Sequence, residues 1–280
     1  MKGPKGAMIA EKLVKQAERE WHDSYFRAHG RQEFPEKEGE FLEWFRRVDL
    51  TPFCDGGWSY WADPRVEALA NLGVLRGMRV LDYGCGSGKL GIYLALQGAS
   101  VWGFDLSSEG IEVAREAAGR YGTDAKFEQM DAEELRYEDG FFDFVVGFGV
   151  IHHVIKYPAA ARHLHRVLKP GGNAVFVETL WDNPVINAAR RFTTADDEAG
   201  DAHLTERGIY EFCQHFGEIR LEKRNLIYML KRFAKLPERD LSAPLSRRPV
   251  WRLVRSADKA LLKFRPVQKY CGEVIIYLKK

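Results

Sequence analysis

Apolar and polar positions alternate in a regular way from residue 78 onward. Short apolar runs are separated by longer segments in which apolar residues recur at helical spacing. Strands alternating with helices indicate βαβ units, so the pattern predicts a parallel sheet in a doubly wound α/β fold. The predicted strands are 78–83, 100–105, 125–130, 141–148 and 173–178, with a helix near 159–168 and a Lys-Pro-Gly-Gly turn at 169–172 before the fifth.

The same pattern continues after residue 180, but with two interruptions. A polar insertion near 181–203 precedes a predicted helix at 205–216 and a strand at 218–228. A basic segment near 231–269 then precedes a last predicted strand at 273–278. We expect this second insertion to be helical.

The N-terminal part of the chain carries clustered aromatic residues. Residues 8–48 show helical spacing with Trp21 and Tyr25 among the aromatics, and a second group includes Trp58 and Trp61. A helix should begin at the Asp-Pro pair that follows, because proline is favoured in the first helical turn. We therefore predict a main domain over residues 63–280 and a helical N-terminal extension or lid over residues 1–62, whose aromatics Trp21, Tyr25, Trp58 and Trp61 close a substrate pocket.

The composition favours a folded cytoplasmic protein. The chain has 280 residues, 45% of them hydrophobic, which is ample for a large core. The first fourteen residues lack the apolar centre of a signal peptide, and no stretch approaches the roughly 20 apolar residues that span a bilayer. The four cysteines lie far apart without CxxC spacing, which predicts reduced thiols.

Charge is distributed unevenly along the chain. Residues 220–280 hold 17 Lys and Arg against 5 Asp and Glu, whereas residues 1–219 hold 25 against 35. Such asymmetry can indicate an anionic partner, or merely a solvated basic face on a peripheral helix. The basic C-terminal segment therefore suggests weak contact with an anionic membrane, or a cover over a substrate pocket.

A glycine-rich turn follows the first predicted strand. In Val80-Leu81-Asp82-Tyr83-Gly84-Cys85-Gly86-Ser87-Gly88, an apolar run leads into three glycines and then a helix. The pattern is neither the GxGxxG dinucleotide fingerprint nor a phosphate loop, which favours a nucleoside without a pyrophosphate. The next strand ends in Asp105, where a carboxylate can accept both ribose hydroxyls.

Five consecutive motifs resemble those of the class I S-adenosylmethionine (SAM)-dependent methyltransferases of the type 11 group. They are VLDYGCGSG, WGFDLS, QMDAEEL, FDFVVGFGVIHHV and LKPGG, over residues 78–180. The resemblance implies a seven-stranded sheet of order 3-2-1-4-5-7-6 with strand 7 antiparallel. It also implies SAM as cofactor and S-adenosylhomocysteine as product. By the same resemblance, Asp82, Gly84, Gly86 and Gly147 surround the methionine part, Asp105 holds the ribose, Leu106 packs on adenine, and Asp131 with Ala132 meets the adenine edge.

Two adjacent histidines follow the fourth predicted strand, where an acceptor would meet the methyl group. A hydroxyl acceptor must lose its proton, and a histidine is a suitable base. We predict His152 as this base, held by Glu178 at the end of the fifth strand. The region is similar to antibiotic sugar O-methyltransferases, in which a histidine and an acid have the same spacing. Alternatively, one histidine caps a helix and the other packs, and then His153 or His203 becomes the candidate. We predict no metal site.

The leading hypothesis is an enzyme that methylates a hydroxyl of a sugar or another secondary metabolite. The alternatives are N- or C-methylation of a small molecule or lipid, and a SAM-binding protein without turnover. No RNA-binding module is visible, which argues against a nucleic-acid partner. The sequence leaves the acceptor and the oligomeric state open.

Overall fold

The computed structural model describes residues 4–35, 40–42, 45, 62–180, 183, 203–226 and 249–280. Trp58, Trp61, most of the first predicted insertion and residues 231–248 of the second lie outside these residues. The strands are β1 Arg79–Tyr83, β2 Ser100–Asp105, β3 Lys126–Gln129, β4 Phe142–Phe148, β5 Leu168–Thr179, β6 Glu218–Arg224 and β7 Glu273–Lys279. The helices are α1 Pro4–His29, α2 Ala62–Ala70, α3 Lys89–Leu96, α4 Ser108–Arg120, α5 Ile151–Val154, α6 Pro158–Val167, α7 Glu206–Phe212, α8 Pro249–Leu261 and α9 Arg265–Gln268, with a 3₁₀ turn at Gly30–Glu33.

The seven strands form one sheet in the order β3-β2-β1-β4-β5-β7-β6. β7 runs antiparallel to both β5 and β6, whereas the pairs among β1 to β5 are parallel. The predicted order and the antiparallel seventh strand are therefore confirmed. All five parallel strands end at one edge of the sheet, which is where open α/β folds bind ligands.

The predicted turn at Lys169–Gly172 lies inside β5 rather than before it. Pairing with β4 shifts register there, since Phe142 faces Leu168 but Phe144 faces Asn173. The chain bulges out between these two pairs, with Gly171 at a φ of +75°. The turn residues thus interrupt the ladder without ending the strand.

Both faces of the sheet are covered, because its central strands are apolar at successive positions. Val80 and Val175 point toward α2, α3 and α4, whereas their neighbours Leu81 and Phe176 point toward α6 and α7. Side chains alternate between faces along a strand, so a strand buried on both sides needs apolar residues throughout. This explains why the strand segments read as continuous apolar runs.

α1 is fixed to the start of α4 by polar contacts. Asp23 Oδ1 accepts hydrogen bonds from Ser107 Oγ at 2.6 Å and from the backbone N–H of Glu109 at 3.1 Å. Arg27 binds the Glu109 carboxylate at 2.6 Å. Burial opposes ionisation of Asp23, but the bonds from Ser107 and Glu109 outweigh it and lower the pKa of this carboxyl. The N-terminal helix therefore lies on the main sheet domain, beside the carboxyl ends of the strands.

The described cysteines are buried, and the described helices can be tested for their ability to span a membrane. Cys85, Cys213 and Cys271 are buried, and Cys54 lies outside the described residues. Among the helices described, none is both long and apolar enough to cross a bilayer.

Candidate active site

A cleft of about 370 Å³ opens at the carboxyl edge of the sheet. This volume is in the range of small-molecule binding sites. Segments that follow β1 to β4 form one side, and α1 contributes to the other. The lining includes Asp82, Gly84, Gly86, Asp105, Leu106, Asp131, Ala132, Phe148, Gly149, Val150 and His153, together with Lys15, Glu18, His22 and Phe26 of α1.

The glycine-rich turn adopts a backbone that only glycine accommodates well. Gly84, Gly86 and Gly88 have φ values of +67°, +51° and +79°. A Cβ added at Gly84 would lie 2.3 Å from Val150 Cγ2. The turn after β1 therefore packs directly against the turn after β4, and both face the cleft.

Asp82 is a buried carboxylate beneath this turn. Its Oδ2 accepts a hydrogen bond from the backbone N–H of Gly91 at 2.8 Å, which fixes the first turn of α3. Burial raises the pKa of Asp82 to about 7, and the neighbouring Asp105 adds to this effect. Asp82 is thus an acid whose charge state is sensitive to a cation placed in the cleft.

Asp105 ends β2 and faces the cleft with both carboxylate oxygens engaged. Oδ2 accepts from the backbone N–H of Gly86 and Oδ1 from that of Ser107, each at 2.9 Å. Each carboxylate oxygen has a further lone pair. Asp105 can therefore hold the glycine turn and still accept two hydroxyls from a ligand, with Leu106 beside it.

Asp131 and Ala132 follow β3 at the far end of the cleft. Asp131 Oδ1 accepts from the Glu133 backbone N–H at 2.9 Å, while Oδ2 contacts Lys15 Nζ at 2.7 Å. Lys15 also contacts Glu133 at 2.5 Å. Burial alone would lower the pKa of Lys15, but the two carboxylates raise it above its usual value. The predicted adenine-side acid is thus shared with a lysine of α1.

Gly147 has a different position from the other predicted cofactor residues. It lies within β4, where an added Cβ would meet the Tyr83 carbonyl oxygen at 2.8 Å and Phe176 at 2.9 Å. The described lining of the cleft contains Phe148 and Gly149 instead. The need for glycine at position 147 is therefore explained by close packing within the sheet.

His152 and Glu178 are in direct contact, as predicted. His152 Nδ1 lies 2.8 Å from Glu178 Oε2, and Glu178 is fully buried. Glu178 Oε1 also accepts from the backbone N–H groups of Val150 and Ile151 at 2.8 and 2.7 Å. The carboxylate thus orients both the imidazole and the turn that carries it. The His152 ring lies beside Gly149, at the margin of the cleft rather than in its described lining.

His153 faces the cleft and has a carboxylate of its own. Its Nδ1 lies 2.9 Å from Glu18 Oε1 of α1. The ring of His22, one turn further along α1, is 5.4 Å from that of His153 between centroids. The rings of His152 and His153 are themselves 4.0 Å apart. Two histidine–carboxylate pairs therefore lie side by side at the end of β4.

The face of α1 that meets the cleft was not identified from the sequence. It carries Lys15, Glu18, His22 and Phe26, whereas the predicted aromatics Trp21 and Tyr25 stack on each other away from the described lining. The missed signal was the spacing of three, four and four residues between these positions, which places them on one helical face. The cluster of aromatic residues in the same segment concealed this polar stripe.

SAM fits the residues that converge here. Its ribose needs paired acceptors, which Asp105 can provide, and its ammonium group needs an anion, which Asp82 can become. Leu106 and Ala132 offer apolar surface for a purine ring. The donors, acceptors and volume of the cleft are therefore compatible with this cofactor.

Comparisons with known proteins identify the family. A family model described as a methyltransferase domain matches residues 58–220, which is more than half of the chain. The chain therefore belongs to the methyltransferase-domain family, and its sheet is that of the class I SAM-dependent methyltransferases.

Curated relatives align with the middle of the chain. A ubiquinone biosynthesis O-methyltransferase of Pseudomonas aeruginosa is 37% identical over 143 residues, covering 50% of this chain and 59% of the relative. A demethylmenaquinone methyltransferase of Staphylococcus aureus is 39% identical over 119 residues, covering 41% of this chain and 48% of the relative. The chain thus spans about half the length of the curated relatives it matches.

Solved structures share the fold at low identity. Phosphoethanolamine N-methyltransferase 2 of Haemonchus contortus, solved with SAM, has a TM-score of 0.57 at 20% identity, covering 87% of this chain and 57% of that one. The [4+2]-cyclase SpnF has a TM-score of 0.56 at 19% identity, covering 87% of this chain and 94% of that one. These neighbours establish the fold alone.

Replacing Gly84 with alanine should destabilise the protein by about 1–3 kcal/mol, because the new methyl group would meet Val150 and the residue has a positive φ. The matched control is Gly119→Ala in α4, where an added Cβ meets nothing within 4 Å. That change should stabilise the helix by up to about 1 kcal/mol. Urea unfolding measures both, and equal effects of the two substitutions would contradict the packing described here.

The raised pKa of Asp82 predicts a pH-dependent stability. The pKa of Asp82 is about 7 in the folded state and about 3.9 in the unfolded state. The contribution of Asp82 to the free energy of unfolding is therefore largest at low pH and falls as pH rises toward 7. Asp82→Asn keeps an acceptor for Gly91 but does not ionise. Relative to this variant, the wild type should lose about 1–3 kcal/mol between pH 5 and pH 8 in urea unfolding. A constant difference between the two proteins would show that Asp82 does not titrate in this range.

Proposed function

We propose that this protein transfers a methyl group from SAM to a hydroxyl group of a small molecule. The observation that carries the proposal is the convergence, at one edge of the sheet, of a nucleoside-type cleft and histidine–carboxylate pairs. Family membership supports the cofactor. The pairs supply groups that can accept a proton where the acceptor would enter.

The residues proposed to hold the cofactor lie along the cleft in the order of its parts. Asp82 and the turn at Gly84 and Gly86 would hold the methionine portion, and Asp105 the ribose hydroxyls. Leu106, Asp131 and Ala132 would surround adenine, with Gly147 supporting the methionyl side through its packing against β1 and β5. When bound, SAM supplies an electrophilic methyl group on a sulfonium.

His152 is the proposed general base, and Glu178 is its positioning residue. The Glu178 carboxylate engages Nδ1, so Nε2 is the nitrogen proposed to take a proton from the acceptor. Glu178 cannot swing away without releasing the turn at Val150 and Ile151. The imidazole is therefore held in one orientation beside the cleft. Positioning of this kind reduces the cost of alignment in the transition state.

The acceptor class is narrowed by the curated relatives. Those at 37–39% identity are named for ubiquinone biosynthesis and for demethylmenaquinone, rather than for sugars. A phenolic quinone precursor is therefore our first choice of acceptor, ahead of the sugar hydroxyl expected from the motif resemblance. Apolar surface in the cleft, including Phe26, Phe148 and Val150, suits an aromatic ring.

Contact with an anionic membrane is proposed for the segment that contains α8 and α9. Leu253 and Phe264 are 72% and 63% exposed, and Lys259, Lys263 and Arg265 are exposed around them. Exposed apolar side chains within a basic helical surface are typical of helices that bind anionic lipid surfaces. A protein that methylates a quinone precursor would meet its lipophilic acceptor there.

Asp105→Ala should weaken SAM binding at least tenfold, because two charge-assisted hydrogen bonds of roughly 1.5–3 kcal/mol each are lost. Asp105→Asn keeps one acceptor oxygen, so its SAM affinity should lie between those of Asp105→Ala and the wild type. Asp124→Ala, an exposed acid beyond α4, is the matched control. Calorimetric titration measures all four proteins, and unchanged affinity in folded Asp105→Ala would remove this residue from the cofactor site.

His152→Ala should lower kcat for a hydroxyl acceptor by about 10²- to 10⁴-fold while leaving SAM affinity nearly intact. His29→Ala, an exposed histidine on α1, is the control and should keep the wild-type rate. The assay uses a panel of phenols and sugars with purified protein. A kcat near that of the wild type would make His152 structural, and the base would have to be sought at His153 or His203.

Replacing Leu253 and Phe264 together with alanine should reduce co-sedimentation with anionic vesicles at low salt. Val74→Ala, which truncates an apolar side chain that is 79% exposed elsewhere, should leave sedimentation unchanged. Absence of the wild-type protein from the vesicle pellet would end the membrane proposal. This outcome would leave methyl transfer untouched.

A further inference from the structure

Three potential metal ligands converge in the cleft where α1 meets α5. Glu18 and His22 lie one helical turn apart on α1, and His153 approaches them from the end of β4. Each offers one ligand atom, and these three atoms all lie within 4.8 Å of one another. His153 Nδ1 lies 2.9 Å from Glu18 Oε1.

The spacing suits a single ion. Bonds from zinc to nitrogen or oxygen are about 2.0–2.2 Å, so two ligands of one tetrahedral ion lie about 3.3–3.6 Å apart. The widest pair lies within 4.8 Å, so it has to close by up to about 1.5 Å through rotation of the side chains. Ligands at positions i and i+4 of a helix share one face, which lets Glu18 and His22 reach the same ion without distortion of α1.

The chemistry of the ligands selects the class of metal. Two imidazoles and one carboxylate favour zinc, iron, cobalt or nickel over magnesium or calcium, which prefer oxygen. Glu18 is only 7% exposed, so its carboxylate is largely removed from water. Three protein ligands leave coordination positions open, and all three residues line the cleft. An open position would therefore face the bound small molecule.

The surrounding contacts hold these ligands in place. The His153 ring packs against that of His152, which is fixed by Glu178. On the other side, Lys15 holds α1 against Asp131. The two halves of the cluster are thus each carried by an anchored element, as a preorganised metal site requires.

We propose that Glu18, His22 and His153 bind one divalent transition-metal ion of the zinc class. The sequence predicted no metal site, whereas the fold brings Glu18 and His22 next to His153, which is far from them in the chain. The ion joins α1 to the turn after β4. Its further role, which rests on the proposed function, would be to hold the acceptor's oxygen and favour transfer of the acceptor's proton to His152.

The test uses the full chain stripped of metal with a chelator, without SAM or acceptor. Titration with Co²⁺ should give visible d–d bands at one equivalent per chain, and Zn²⁺ should displace it. His22→Ala and Glu18→Gln should each weaken Co²⁺ binding at least tenfold, whereas His29→Ala on the same helix should bind as the wild type does. Circular dichroism checks folding, and His22→Asn replaces any His22→Ala protein that does not fold.

Three results would overturn the site: no binding by the wild type, equal binding by the His22 variants, or a thiolate-to-cobalt charge-transfer band. A separate assay tests the role. Loss of kcat on chelation, restored by Zn²⁺ or Co²⁺, supports it, and full kcat in the chelated protein would overturn the role while the binding site stands. Because binding is measured without turnover, failure of the metal site is distinguishable from failure of methyl transfer.

Discussion

The rest of the site depends on the contacts that the Glu178 carboxylate makes. It is fully buried at the end of β5, yet it accepts from two backbone N–H groups and contacts the His152 imidazole. A buried carboxylate is tolerated only when such partners compensate for lost hydration. Those partners all belong to the turn after β4. The carboxylate therefore fixes the position of Val150, against which Gly84 packs, and so couples the cofactor turn to the histidines.

α1 forms the wall of the cleft that the sheet does not supply. The carboxyl ends of the strands supply one wall of the cleft, but Lys15, Glu18, His22 and Phe26 come from a helix far away in the sequence. Phe26 also lies over the glycine turn, where an added Cβ at Gly86 would meet its ring at 3.1 Å. Polar contacts between α1 and α4 hold α1 in this position. The shape of the cleft thus depends on docking of an element outside the parallel sheet.

Sequence patterns predicted the sheet well because each strand depends on local apolar runs and each turn on local glycine. The order of strands required the motif resemblance, since short runs do not reveal which strands pair. The contact between His152 and Glu178 was predictable because both residues follow neighbouring strands. By contrast, the approach of Glu18 to His153 depends on how α1 docks, and no local pattern encodes that. The structure places Trp21 and Tyr25 outside the described lining of the cleft, because aromatic content does not specify which helical face is buried.

Lys15 links the position of α1 to the charge of the cleft. It contacts Asp131 and Glu133, the acids at the end predicted to hold adenine. The same helix, one turn later, brings Glu18 to His153 at the other end. Displacement of α1 would therefore expose two acids at one end and separate a histidine from its carboxylate at the other. Because α1 contacts both ends, it forms a second connection between the proposed cofactor end and the histidines, beside the one that runs through Glu178 and Val150.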